Sequence, residues 1–287
     1  MTDSSISRVD TFPRVSPGAR DRATLEQLRR VGRVPDVPAS ERDYRGCVVQ
    51  KPWGFEFLAY DTPEVAVWRL RINAGHSTSM HCHPHKRTAL LVLSGNALGH
   101  VFGRRFALKA HDVLVLEPGV FHATKAVSDD GLDLIEVETP RCKTDLVRLN
   151  DLYGREGAGY EGLRDMHTDR LERFEHFALS VAAHDDGCSG YVDPRQRFGL
   201  SIRSFDTASL HQWSFDPAAR ALVVLSGRLD GGAERSTADI GDALRPTEAR
   251  TREPGAVTKL IGLTLEAPGT EASTTPVLAA LKTGTYR

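Results

Sequence analysis

Two histidines one residue apart, His81 and His83, stand in the stretch GHSTSMHCHPHKRTALLVLSG, residues 75–95. On a strand, side chains two apart share a face, so both imidazoles aim the same way. Converging imidazoles are the start of a divalent-metal site. A third, His122, ends the segment EPGVFH, where Pro118-Gly119 makes a turn that delivers it from a later strand. Three histidines would hold one divalent ion and leave positions open for water or substrate, and open positions belong to catalysis rather than to a structural site. Imidazole suits several metals, so iron, zinc, manganese and nickel all stay open. His85 continues the same parity, but Pro84 breaks the strand before it, which leaves His85 a candidate ligand or acid/base group. Lys125, three residues after His122, is a candidate acid/base group if burial lowers its pKa. Cys82 has the opposite parity and is expected to point away from the metal into packing.

These residues need strands to position them, and from residue 45 the sequence supplies strands. VVQKPW, EVAVWRLRI, TALLVLSG, ALGHVFG, DVLVLEPG and DLIEVETP are short and rich in Val, Leu and Ile. Turn residues separate them, among them Asp61-Thr62-Pro63, Asn73-Ala74-Gly75 and Asp129-Asp130-Gly131. Many short strands at regular spacing predict a sandwich or barrel. In EVAVWRLRI, Ala66, Trp68, Leu70 and Ile72 fall on one face, and Val67, Arg69 and Arg71 on the other.

An internal repeat organises the rest. ALLVLSG at 89–95 recurs as ALVVLSG at 221–227, and each is followed by a similar step, His111-Asp112-Val113-Leu114 and Gly241-Asp242-Ala243-Leu244. The second copy lacks the histidines: Trp213, Phe215 and Asp216 precede its strand. The expected division is an N-terminal arm over 1–44, a metal-binding copy over 45–140, a linker over 141–174, a degenerate copy over 175–270 and a tail over 271–287. Leu25, Leu28 and Val31 predict a short helix in the arm from Asp21 to Val31, capped by Asp21 and stopped by Pro35 and Pro38. The linker should hold a short helix near 168–174, and the tail TTPVLAALKTGTYR another.

Composition excludes several classes. A formal net charge of −1 over 287 residues, with arginines scattered among acids, does not suit a nucleic-acid or membrane-surface binder. No apolar run reaches the roughly 18 residues of a membrane span. MTDSSISRVDTFPRV has no apolar core of a signal peptide, and four dispersed cysteines (Cys47, Cys82, Cys142, Cys188) are not a disulfide framework. The expectation is reduced thiols and a cytoplasmic protein.

At its histidines the chain resembles the cupin superfamily, whose first motif is G-x5-H-x-H-x3,4-E-x6-G and whose second is G-x5-P-x-G-x2-H-x3-N. Gly75, His81, His83 and Gly95 fit the first; Gly119 and His122 fit the second. The resemblance implies an all-β, jelly-roll barrel with the metal inside, here duplicated with its second copy degenerate and preceded by an arm. Thr88 occupies the glutamate slot, Glu117 stands where the family has proline, and Lys125 or Ala126 replaces the asparagine. KPWGFEFL at 51–58, TSMHCHPHK and VLSG are similar to the cupin domain of mannose-6-phosphate isomerases fused to mannose-1-phosphate guanylyltransferases. That likeness, over about 48–140, implies a small-molecule substrate, a phosphorylated or nucleotide-linked sugar, and an isomerase or epimerase of carbohydrate biosynthesis. Lys51 and Trp53 would then hold a phosphate and a sugar face, and Lys86 and Arg87, in a turn near the barrel mouth, could pair with phosphate. The missing glutamate leaves two alternatives open, a three-histidine Fe(II) dioxygenase and a non-catalytic sugar-binding cupin. By analogy with the fold, a homodimer is expected.

Overall fold

The computed structural model describes residues 11–34, 42–181, 190–231, 237–255 and 260–267. The expected C-terminal helix, Pro35, Pro38 and Cys188 lie outside them.

The arm is docked. Arg14–Val15 (β1) runs parallel to a barrel strand, and Ala19–Arg30 forms α1. The helix begins before the expected cap: Gly18 is the N-cap and Asp21 lies in the first turn. The Asp21 carboxylate accepts from Gly18 N and Phe121 N, both at 2.8 Å. It therefore complements the helix's positive end and ties it to the barrel. Leu25 and Leu28 pack on Cys82, Phe121 and Val147.

From Val48 the chain is mostly strand. Val48–Lys51 (β2), Gly54–Asp61 (β3) and Ala66–Ile72 (β4) form a meander. Met80–Cys82 (β5) crosses to a second sheet, Arg87–Ser94 (β6) returns, and Asn96–Val101 (β7) with Arg104–Lys109 (β8) extends the second. Val113–Leu116 (β9), His122–Ala126 (β10) and Leu132–Thr139 (β11) complete two facing layers. The stretch expected to be a linker then adds an edge strand to each, Val147–Asn150 (β12) beside β5 and Met166–His167 (β13) beside β2. Its expected helix is one short 3-10 turn, Leu171–Phe174.

A third sheet follows: Gly190–Val192 (β14), Gly199–Phe205 (β15), helix Thr207–Ser214 (α2), Ala219–Ser226 (β16), Leu229–Asp230 (β17), Ala243–Leu244 (β18), helix Pro246–Ala249 (α3), Glu253–Pro254 (β19) and Leu260–Glu266 (β20). Its order, β14-β15-β20-β16-β18, repeats β3-β4-β11-β6-β9 of the first sheet. The repeated strands β6 and β16 hold the same place. The turn after each is also the same. Val92 N donates to Asp112 O (3.0 Å) and His111 N to Val92 O (2.8 Å); Val224 N donates to Asp242 O (2.9 Å) and Gly241 N to Val224 O (2.8 Å). His111 and Gly241 both have positive φ, 75° and 85°. The chain is thus an all-β duplication.

The copies differ in their second layer. In the first, Trp68, Leu70, Leu90, Val92, Leu114 and Leu134 face the sheet containing β5 and β10. In the second, Leu222, Val224 and Leu244 pack on Leu210 and Trp213 of α2 and Ala249 of α3. The α2 segment was not expected to be helical. Asp206 caps it, accepting from Ser209 N at 2.8 Å, and Leu210 and Trp213 lie three apart on its buried face. The outer faces of the two large sheets meet in one core, with Val67, Leu91 and Ile135 from one and Leu200, Val223 and Leu263 from the other.

Candidate metal centre

His81 in β5 and His122 in β10 are directly paired across the strands, and their rings lie 4.4 Å apart. His83, just past the end of β5, has its ring 5.1 Å from His81 and 5.5 Å from His122. One ring nitrogen of each lies within 4.8 Å of the others, close enough to share an ion. All three rings are oriented by carbonyls on their Nδ1 side: Ser79 O at 2.8 Å from His81, Asp145 O at 2.6 Å from His83, Val120 O at 3.0 Å from His122. A carbonyl only accepts, so each Nδ1 carries the proton and each Nε2 presents a lone pair. This is how metal-ligating histidines are usually held.

Electrostatics favours the same state. Burial, reinforced by neighbouring positive groups, holds His81 and His83 well below their ordinary pKa. Burial brings His122 down to about 4. Neutral imidazole is the form that binds metal. Nε2 of His83 and of His122 is buried with no hydrogen-bond partner. A divalent ion would satisfy both, so the residues fit the group the family implies.

The wall beside His83 is acidic. On β11, Leu132, Leu134, Glu136 and Glu138 alternate onto the inner face, and Glu138 stands opposite Thr88, the slot of the motif glutamate. Glu136 Oε1 is 4.0 Å from His83 Nε2. Burial raises Glu136 to about 7, with Glu138 and Glu56 outweighing part of the pull from Lys143. Lys143 Nζ lies 3.2 Å from Glu56, 3.4 Å from Glu138 and 3.8 Å from Glu136. Burial opposes its charge, but the three carboxylates prevail and raise its pKa. For Glu56, burial is likewise outweighed, by Lys143, Lys51 and a hydrogen bond from Tyr160, which hold it at about 2. Arg148 of β12 and Arg155 pair with Glu161 at 3.0 and 2.6 Å, and Lys51 donates to the same carboxylate. The histidines, these carboxylates and Lys51, Lys143, Arg148 and Tyr160 line a cavity of about 50 Å³.

Of the residues singled out in the sequence, His81, His83, His122, Lys51 and Trp53 line this cavity. Four do not. Lys125 is exposed on the face of β10 opposite to His122 and Thr124. His85 is half exposed and bonded through Nδ1 to Asp145 at 2.9 Å. Lys86 is not in an open turn: its ammonium is fully buried on Glu138 at 2.9 Å. Arg87 reaches the second copy, meeting Asp242 at 3.0 Å and Ile240 O at 3.1 Å. Cys82 is buried away from the cavity, as its parity predicts, and burial raises its thiol pKa.

Residues 68–138 match the family model described as Cupin domain. The mannose-1-phosphate guanylyltransferase of Klebsiella pneumoniae is 26% identical over 109 residues, which is 37% of this chain and 23% of that protein. The xanthan biosynthesis protein XanB of Xanthomonas campestris pv. campestris is 29% identical over 154 residues, 51% of this chain and 32% of that one. The matches thus span less than a third of either relative. Among solved structures, KdgF from Halomonas sp. is 19% identical with a TM-score of 0.29, covering 35% of this chain and 86% of that one. No helix among the described residues is long and apolar enough to cross a membrane. The interval that matches the Cupin domain model, Trp68 to Glu138, contains all three histidines.

Proposed function

We propose that the protein is a metal-dependent cupin acting on a phosphorylated or nucleotide-linked sugar, as an isomerase or epimerase, with His81, His83 and His122 as the metal ligands. The observation that carries this reading is the convergence of three oriented, neutral imidazoles in a cavity that also holds a carboxylate 4.0 Å from one of them. A bound divalent ion would polarise a carbonyl or hold an enediolate. Glu136 is the nearest group to exchange a proton with carbon beside that position, replacing Lys125 and His85 in this role. Lys51, Lys143 and Arg148 supply the positive wall for a phosphorylated ligand. About 50 Å³ is well below the roughly 300–1,000 Å³ of small-molecule sites. Admitting a sugar would therefore require part of this lining to move aside.

Metal content of protein purified without added metal, beside His81→Ala, tests the centre. About one equivalent in the native chain and little in the variant is expected; equal content removes His81 from the site. Deuterium uptake from D₂O into a hexose phosphate such as mannose 6-phosphate tests the chemistry, with loss of uptake in Glu136→Gln. A second reading, a three-histidine Fe(II) oxygenase, is favoured by Thr88 in the glutamate slot. Iron with O₂ consumption, and no deuterium uptake, would decide for it.

A further inference from the structure

A second cavity, of about 160 Å³, lies on the seam between the two copies, away from the histidines. Five arginines line it: Arg69 and Arg71 of β4, Arg173 in the 3-10 turn, and Arg195 and Arg197 in the β14–β15 turn. Buried Asp133 accounts for three of them. It meets Arg69 at 2.6 Å, Arg71 at 2.8 Å and Arg197 at 3.3 Å. Glu175 lies 3.4 Å from Arg69, and Asp193 takes a bidentate grip on Arg197, with two contacts of 2.8 Å. Neutralising Asp133 would need fewer cations than this. Arg173 and Arg195 make no ion pair among the described residues, and the buried Nε of Arg69 donates to nothing. Five guanidiniums against three carboxylates leave an excess of positive charge around one small space. Phe55 and Phe174, in edge contact at 5.0 Å, form an apolar wall.

We propose that this seam cavity binds a phosphoryl-bearing anion, of the class of pyrophosphate or a phosphate ester, held by the guanidiniums of Arg173 and Arg195 together with the N–H groups that Arg71 and Arg197 have left beyond their carboxylate partners. A carboxylate offers two oxygens in one plane; a phosphoryl group offers three and can engage guanidiniums from more directions. The β14–β15 turn is built to present its arginines: Gln196 N donates to Asp193 O at 2.7 Å, and Arg197 N to the Asp193 carboxylate at 3.1 Å. Because the cavity is bounded by both copies, occupation would bind them together. The site does not depend on the metal reading.

Calorimetric titration of the metal-free chain with inorganic pyrophosphate at low salt tests it. One equivalent is expected to bind, and the double substitution Arg173→Gln/Arg195→Gln to weaken binding at least about tenfold through lost charge-assisted bonds. Both residues are exposed, so the melting temperature without ligand should be unchanged; if the double variant does not fold, Arg195→Gln alone must weaken binding. His122→Ala and the remote Arg30→Gln should bind as the native chain does. No binding by the native chain, undiminished binding by the arginine variant, or loss in His122→Ala would each overturn the proposal. Equal competition by acetate would overturn the phosphoryl assignment.

Discussion

The two copies share a sheet order, a repeated central strand and a turn matched bond for bond, yet the cavity that gathers the three histidines lies in the first. The difference lies in what covers the sheet. In the first copy a second sheet brings β5 and β10 over the inner face, and with them three histidines. In the second copy a short helix puts Leu210 and Trp213 there. One layer is a scaffold that tolerates either cover, and the chemistry comes from the cover. An apolar plug stabilises its copy by burial; the polar cover does so only while each buried charge keeps its partner.

That contrast predicts opposite sensitivities. Glu138→Gln removes the carboxylate shared by the buried Lys86 and Lys143. Breaking a buried pair by one partner costs about 3–5 kcal/mol. The expected result in urea is a loss of unfolding free energy of that size, together with altered metal content, because the change sits beside His83. Trp213→Ala empties the plug and costs a comparable amount, about 3–5 kcal/mol, by cavity formation. It should leave metal content at the native level. If Trp213→Ala lost the metal, the copies would not be separable into site and support.

The legible part of this architecture follows strand periodicity. The i,i+2 histidines, the two faces of β4 and the outward parity of Cys82 all come from alternation alone. The repeat is legible because packing a strand between two others demands the same apolar run twice. Glu136 and Glu138 were within reach of the same reasoning, since they continue the inner parity of Leu132 and Leu134 on a strand already recognised. Lys143, Arg148, Tyr160 and Glu161 were not. They come from a polar stretch without periodicity, and their place over the cavity is set by tertiary ion pairs. Lys86 misled because a charged residue after a proline reads as a solvated turn, whereas a carboxylate 52 positions later draws it inside.

Acid should separate the copies as well. The site histidines have folded pKa values below the ordinary 6.5, that of His122 at about 4. Over this interval the unfolded chain binds more protons than the folded one, so stability rises with pH. The contribution is present above about pH 6.5 and is lost as pH falls toward 4, amounting to about 3 kcal/mol from His122 alone. Melting of the metal-free chain between pH 7 and pH 4.5 should show this slope, reduced in His122→Ala. An equal slope in the variant would mean the imidazole is not buried as described.

The smallest effect tests the duplication itself. Asp112 and Asp242 occupy the same turn position, and each accepts from the backbone three residues earlier, Lys109 N at 3.0 Å and Asp239 N at 2.9 Å. Their other oxygens differ: that of Asp242 also meets Arg14 of the arm and Arg87 of the first copy, both at 3.0 Å. Asp112→Ala should cost only the turn bond, about 0.5–1.5 kcal/mol. Asp242→Ala should cost more, since a half-buried guanidinium loses a partner. Adding Arg87→Ala to Asp242→Ala should cost less than the sum of the two single changes, because the bond between them is lost only once. Equal costs for the two aspartates would show that the contact between copies at this point contributes nothing, leaving the apolar seam of Val67, Leu91, Val223 and Leu263 to hold them together.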